Sequence, residues 1–206
     1  MNIRVLKRFV IYMAILTFIM FTVWALVRSF MNRPPGDYET EVWDMRLKDK
    51  LYDEALQSAN IALEKTPNHR GAIMCKALVF ISQKMYTEAT EELNYLINFL
   101  EKTVEDDDRT GIGTLAAAYA NRGIIKDRNK NYEGALKDYV KALGVDHEAV
   151  AGPGLGTVIL NYKYKSSSVR ERALYLNDQH QLPEDERVLS IQELDEGQVM
   201  HKPGKL

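Results

Sequence analysis

Three copies of one short pattern constrain this chain more than any other feature. Tyr52-Asp53-Glu54-Ala55 precedes Ala62-Leu63, Tyr86-Thr87-Glu88-Ala89 precedes Leu96-Ile97, and Tyr132-Glu133-Gly134-Ala135 precedes Ala142-Leu143. Ala55 and Ala89 are 34 residues apart; Ala89 and Ala135 are 46 apart, one period plus an insertion of 12. In the third copy Tyr132, Ala135, Leu136, Tyr139, Ala142 and Leu143 recur at offsets of three and four, so they share one helical face. A preceding helix carries Tyr119, Gly123 and Ile124, and Lys130-Asn131 interrupts the pattern between the two. Gly123 and Ala135 are small enough to let two helix backbones approach. The expected unit is a helix–turn–helix hairpin, used three times.

A 34-residue helical hairpin with a Tyr-x-x-Ala core resembles the tetratricopeptide repeat family. Pro67 stands where that family closes a unit with proline, and Gly123 keeps the glycine of the first helix. The chain departs from the pattern at Trp43 and Ala77, which replace that glycine, and at His147, which replaces the closing proline. The resemblance implies an all-α fold: a solenoid of three repeats spanning 37–147, with units at 37–68, 69–102 and 114–147 and an acidic insertion at 103–113. Ala55, Tyr86, Ala89, Gly123, Tyr132 and Ala135 are the expected repeat-packing residues.

Phe9–Val27 is 19 residues without a charge. As a helix it spans roughly 28 Å, close to the hydrocarbon thickness of a bilayer. Tyr12 and Trp24 stand near its two ends, as interfacial aromatics do. Residues 1–33 are therefore expected to be a single membrane anchor. A cleaved signal peptide, with Val23-Trp24-Ala25 at the cut, and a buried core helix are the competing readings. Arg4, Lys7 and Arg8 precede the span while Arg28 and Arg33 follow it, which favours a cytoplasmic N-terminus. The repeats are then expected on the periplasmic or equivalent side, most naturally of a bacterial inner membrane. Pro34-Pro35-Gly36 ends the helix as a short spacer at 34–36.

After the third unit, 148–182 reads as a degenerate helix pair capping the stack, a need that follows from the last unit's unpartnered apolar face. Leu155–Tyr164 is its first helix, and Ser168 with Glu171 forms a capping-box pattern for the second. Residues 183–206 are polar with scattered apolar positions and read as a largely flexible tail.

The net charge of −2 hides an asymmetry: residues 1–33 carry five basic residues and no acid, and the remainder holds 22 basic and 29 acidic residues. An acidic soluble part argues against nucleic acid as partner. Cys75 sits among Ile73, Met74, Ala77 and Leu78, a core setting, and His69, His147, His180 and His201 are scattered. Glu105-Asp106-Asp107-Asp108 lacks the ligand spacing of a calcium loop. No nucleophile elbow, dinucleotide fingerprint or phosphate loop occurs. No catalytic residue, metal, cofactor or small-molecule substrate is expected, and the chain is not read as an enzyme.

In the family that this chain resembles, the first helix of each unit lines the inner face, which takes peptide segments. Carried over, that face presents Thr40, Asp44 and Leu47, then Met74, Leu78 and Ile81, then Ala117, Ala120, Ile124 and Asp127. The places matching the family's C-terminal carboxylate clamp hold Thr40, Asp44, Cys75, Ala117 and Asn121, so no such clamp is expected. An apolar groove suits an amphipathic helix or an extended apolar segment, unless part of this stripe is repeat-to-repeat core or is covered by the chain's own C-terminal helix. The resemblance implies a membrane-anchored scaffold or adaptor binding a protein partner beside the membrane, in assembly or maturation of an envelope or respiratory complex. The alternative is a permanent accessory subunit of a larger membrane complex.

Overall fold

The fold is that of a computed structural model, which describes residues 3–31, 35–150, 168–191, 195, 198 and 200–202. It is all-helical, with no strand among the described residues. Among the described residues eight α-helices follow in order: α1 (Ile3–Met31), α2 (Asp37–Lys48), α3 (Tyr52–Lys65), α4 (Arg70–Ser82), α5 (Tyr86–Thr103), α6 (Arg109–Arg128), α7 (Tyr132–Val145) and α8 (Val169–His180). A single 3-10 turn at Glu184–Glu186 follows them.

The N-terminal helix stands apart from the rest. Its stretch Ile3–Arg28 is 26 residues long, apolar enough to cross a membrane, and exposed along its length among the described residues. Thr17 and Thr22 return their hydroxyls to the carbonyls of Met13 and Phe18, at 2.8 and 2.7 Å, so neither hydroxyl is left an unmet donor on the apolar helix. Arg28 lies over the Trp24 ring, 5.2 Å from its centroid, near the C-terminal end of the helix.

Helices α2 to α7 form three hairpins, and side-chain pairs fix their sense. Arg46 bonds Ser58 while Lys65 bonds Glu39, so the end of α2 meets the start of α3 and the reverse. Arg122 meets Asp138, and Lys141 meets Tyr119, in the same crossed order between α6 and α7. Lys76 pairs with Glu92 across α4 and α5. Neighbouring hairpins pack through α3 on α4 and α5 on α6, and α2, α4 and α6 lie side by side.

The turn inside each hairpin is the same object. Lys50, Lys84 and Lys130 have φ of 60°, 62° and 61°, the left-handed region. Each donates its backbone N–H three residues back, to Leu47, Ile81 and Asp127. The next residue reaches five back, to Arg46, Phe80 and Lys126. This is the helix-ending motif in which paired bonds satisfy the last free carbonyls. The three lysines repeat at the spacing of Ala55, Ala89 and Ala135, so the period seen in side chains is also a period in backbone.

The core is built on small residues. Ala55, Ala59, Ala62, Ala72, Ala77, Ala89, Ala135 and Ala142 are fully buried. Tyr52, Tyr86 and Tyr132 pack half-buried against them at the start of each second helix. Close approach is clearest at Gly123: a Cβ there would lie 2.6 Å from the buried Tyr139 ring. The insertion between the second and third hairpins extends helices rather than forming a long loop. It leaves only residues 104–108 between α5 and α6, with Asp108 capping the Gly111 N–H at 2.8 Å. The expected capping box is present, with Ser168 and Glu171 bonded reciprocally at the start of α8. Leu155–Tyr164, expected to be the first helix of the closing pair, lies outside the described residues.

Gly123→Ala tests the close approach. Alanine is the better helix former by about 1 kcal/mol, yet the Tyr139 contact should make the variant less stable by about 1–3 kcal/mol. Urea denaturation followed by circular dichroism measures the difference, and a stabilised variant would refute the contact.

Candidate binding face and the segment that covers it

Helices α2, α4 and α6 place most of the expected groove residues together, but not as an open apolar surface. Met74, Leu78, Ala117 and Ala120 are fully buried, and Leu47, Ile81, Ile124 and Asp127 nearly so. Among the described side chains of the expected face, Asp44 alone keeps substantial access, its side chain 28% exposed. Thr40 lies in α2, but its side chain falls outside the described residues.

What covers the face is the chain's own C-terminal segment. Asn121, in the middle of α6, reads the main chain of His201 in both directions. Its side-chain amide donates to the His201 carbonyl at 2.7 Å, and its side-chain oxygen accepts the His201 N–H at 2.8 Å. Met200 comes against Ser82 of α4. Lys202 reaches Asp44 of α2 and lies over the Trp43 ring, 5.6 Å from its centroid. The segment thus runs from the third hairpin toward the first. The tail was expected to be largely flexible; in its described part Gln198 and His201 are buried. The physical reason is that Asn121 satisfies a main-chain donor and acceptor at once, which makes burial of a polar backbone tolerable.

The other end of the segment joins a buried polar cluster centred on Asp127. Arg172 of α8, 1% exposed, grips the carboxylate with two parallel bonds of 2.7 Å. Gln198 donates to the same carboxylate at 2.7 Å, and Tyr139 of α7 donates at 3.1 Å. Arg172 also donates to the Leu189 carbonyl at 3.0 Å and lies 2.9 Å from Asp195 as an ion pair. Burial opposes the charge on Arg172, but Asp127 and Asp195 outweigh it and raise its pKa. Burial, then Asp127, pushes Tyr139 up, so its hydroxyl stays a donor. Burial also raises Asp44, but Lys202 and Lys48 win and hold it below its ordinary value. Cys75 is driven upward by burial, which leaves a neutral thiol and no nucleophile.

A small cleft beside the segment is bordered by Ile124, Tyr139, Ser168, Val169, Arg172, Gln198 and His201, with room for about one water. Among the described residues no group of three His, Cys, Asp or Glu side chains could hold a metal ion. His69 caps α4 and bonds Asp37 at 3.0 Å, and His180 bonds the Leu176 carbonyl. The packing residues Ala55, Ala89 and Ala135 are fully buried, Tyr86 and Tyr132 lie half-buried, and Gly123 faces Tyr139.

Sequence reasoning did not single out Arg172, Gln198, His201 or Lys202, and it weighed Asn121 only as a clamp position. One signal was available. Val169, Arg172, Ala173 and Leu176 share one face of α8, so an arginine stands on an apolar stripe. Asp127 stands likewise beside Ile124 on α6. Charges on two apolar faces require each other. No protein-family model matches the chain, and no curated protein matches it.

Removing Arg172 should strand the Asp127 carboxylate. Arg172→Ala is expected to cost about 3–5 kcal/mol, and Arg172→Met with Asp127→Leu less than that. Urea titrations of both variants check the order. A second expectation concerns pH. Burial pushes the His201 imidazole from its ordinary 6.5 down to about 4, with Arg172, Gln198 and Tyr139 around its cleft and Lys202 beside it. Between those two values the released segment binds more protons than the docked one. Docking is therefore complete above about pH 6.5 and weakens as pH falls to about 4. Amide exchange at residues 200–202, corrected for its intrinsic pH dependence, reads this directly. Unchanged protection across that range would contradict it.

Proposed function

We propose that the chain is a membrane-anchored scaffold of the tetratricopeptide repeat type, holding a protein partner beside the membrane on its α2–α4–α6 face. The observation that carries this reading is the pairing of Asn121 with both main-chain groups of His201. A face that grips backbone in this way is built to hold extended polypeptide, because backbone bonds supply affinity without depending on side-chain identity. The repeated hairpin, with its alanine contacts and recurrent lysine turn, supports a solenoid of three units closed by α8. The uncovered apolar helix α1 supports a single-pass anchor.

The excess of positive charge ahead of the span supports a cytoplasmic N-terminus, with the repeats on the periplasmic or an equivalent side. Anchoring confines the face to the layer where membrane-bound partners move, which raises effective concentration without new contacts. Work on the assembly or maturation of a membrane complex fits such placement. A permanent structural subunit would use its tail to wrap a neighbour. Here the described part of the tail is committed to its own chain, which favours the scaffold.

A photo-crosslinking residue at position 44, on the face, and another at the exposed Val140 of α7 test the reading in intact membranes. An adduct with a second polypeptide is expected from position 44 and not from position 140. No intermolecular adduct from 44, or equal adducts from both positions, would sink it.

A further inference from the structure

The chain that follows the apolar helix is not a free tether. Thr66, at the end of α3, donates its hydroxyl to the Pro35 carbonyl at 2.9 Å. His69 bonds Asp37 at 3.0 Å, and Lys65 reaches Glu39. Gly36, with φ of 101°, is folded closely into the same place: a Cβ on it would lie 2.8 Å from the His69 ring. Residues 35–39 are thus clamped onto the corner between α3 and α4, Thr66 to His69. Pro35 follows Met31, the last residue of α1, by four peptide steps, and extended chain of that length covers at most about 14 Å.

These contacts define an edge of the stack. His69 with Asp37 joins the start of α4 to the start of α2, and Arg70 with Asp108 joins it to the start of α6. The corners between hairpins, 66–69 and 104–108, therefore lie along one edge, and the three lysine turns lie along the opposite one. With α1 in a bilayer, the edge that bears the corners is the one held near the lipid, and the first corner is held nearest.

The two corners differ in chemistry. Beside the first, Tyr38 and Tyr95 are 64% and 51% exposed, and Tyr95 donates its hydroxyl to Asn68 at 2.6 Å. Exposed tyrosines suit a headgroup layer, where an apolar ring and a polar hydroxyl both find partners. The charges there are met within the protein: Lys65 pairs with Glu39, Arg70 with Asp108, and His69 bonds Asp37. At the second corner Glu105, Asp106 and Asp107 are exposed and have no ion pair among the described residues. That corner also projects roughly 6 Å further, because α5 has 18 residues against the 14 of α3. Acids so placed are repelled by an anionic surface within a Debye length of about 10 Å. We propose that the first corner, with Tyr38 and Tyr95 beside it, rests in the headgroup layer of an anionic bilayer, while the acidic second corner holds the later hairpins off the surface. The row of hairpins then rises from the membrane, the first lowest, and does not lie along it. This inference rests on the membrane-anchor reading above.

The test uses the full chain in nanodiscs of phosphatidylcholine mixed with phosphatidylglycerol, doped with a lipid that carries a nitroxide quencher on its headgroup. In a Cys75→Ala background, Pro67→Cys, Asp107→Cys and Gln83→Cys each take one fluorophore, at the first corner, the second corner and the opposite edge. Circular dichroism confirms the fold, and Asn68→Cys replaces Pro67→Cys if the latter does not fold. The label at 67 should lose most of its emission to the quencher, and the label at 83 none. The label at 107 should keep most of its emission. It should lose it in nanodiscs of phosphatidylcholine alone, and in anionic ones when Glu105→Gln and Asp106→Asn remove the repulsion.

Equal quenching at 67 and 83 would overturn the proposal, since the stack would then turn freely about its anchor. Quenching at 107 as deep as at 67 on the anionic nanodiscs would overturn it too, because the row would then lie along the surface. Emission at 107 unmoved by both neutral lipid and neutralised acids would overturn the part assigned to charge. An unquenched label at 67, in protein that resists carbonate extraction from membranes, refutes this inference alone. Protein that carbonate extracts refutes the anchor reading beneath it.

Discussion

Asp127 is the point on which the C-terminal half of the molecule converges. Its carboxylate receives Arg172 from α8, Tyr139 from α7 and Gln198 from the tail, while its own helix lies against α4 and α5. A buried carboxylate is costly alone and tolerable only when its lone pairs are filled by well-aligned donors. Three donors from three separate segments meet that condition together. Each segment is thereby held to a position that apolar packing would leave loosely defined. The hairpins are held by alanine contacts; α8 is tied in through this group, and the tail through it together with Asn121 and Asp44.

Much of the hairpin architecture was legible beforehand, for a physical reason. Tyr-x-x-Ala marks where a bulky ring and a missing side chain must recur if helices are to nest, and both recur at the same spacing as the turns. The long apolar helix at the N-terminus was legible because 19 residues in a row carry no charge. The capping box before α8 was legible because Ser168 and Glu171 satisfy each other's backbone locally. All three are short-range or periodic signals.

Covering by the C-terminal helix was weighed, but covering by the tail was not legible, because it depends on contacts such as Asn121 with His201 and Asp44 with Lys202, 80 or more residues apart, that no period connects. Asn121 with His201, and Asp44 with Lys202, are ordinary polar residues in their own neighbourhoods. The paired charges Asp127 and Arg172 were detectable in principle, each being misplaced on an apolar stripe. The α6 boundary moved earlier than the repeat pattern placed it, to Arg109, because Asp108 offers a cap at the end of the acidic run. The described residues of the expected groove lie on α2, α4 and α6 mostly as packed interior, with Asp44 left at the rim.

The identical lysine turns carry a consequence for how such a chain can grow. Each hairpin closes with the same two backbone bonds and the same left-handed residue, so the link within a hairpin has a set length. Extra residues can be admitted only where one hairpin hands over to the next, and that is where the twelve additional residues are found. Duplication of whole units, rather than stretching of any one of them, is the route by which this architecture would lengthen its row of hairpins.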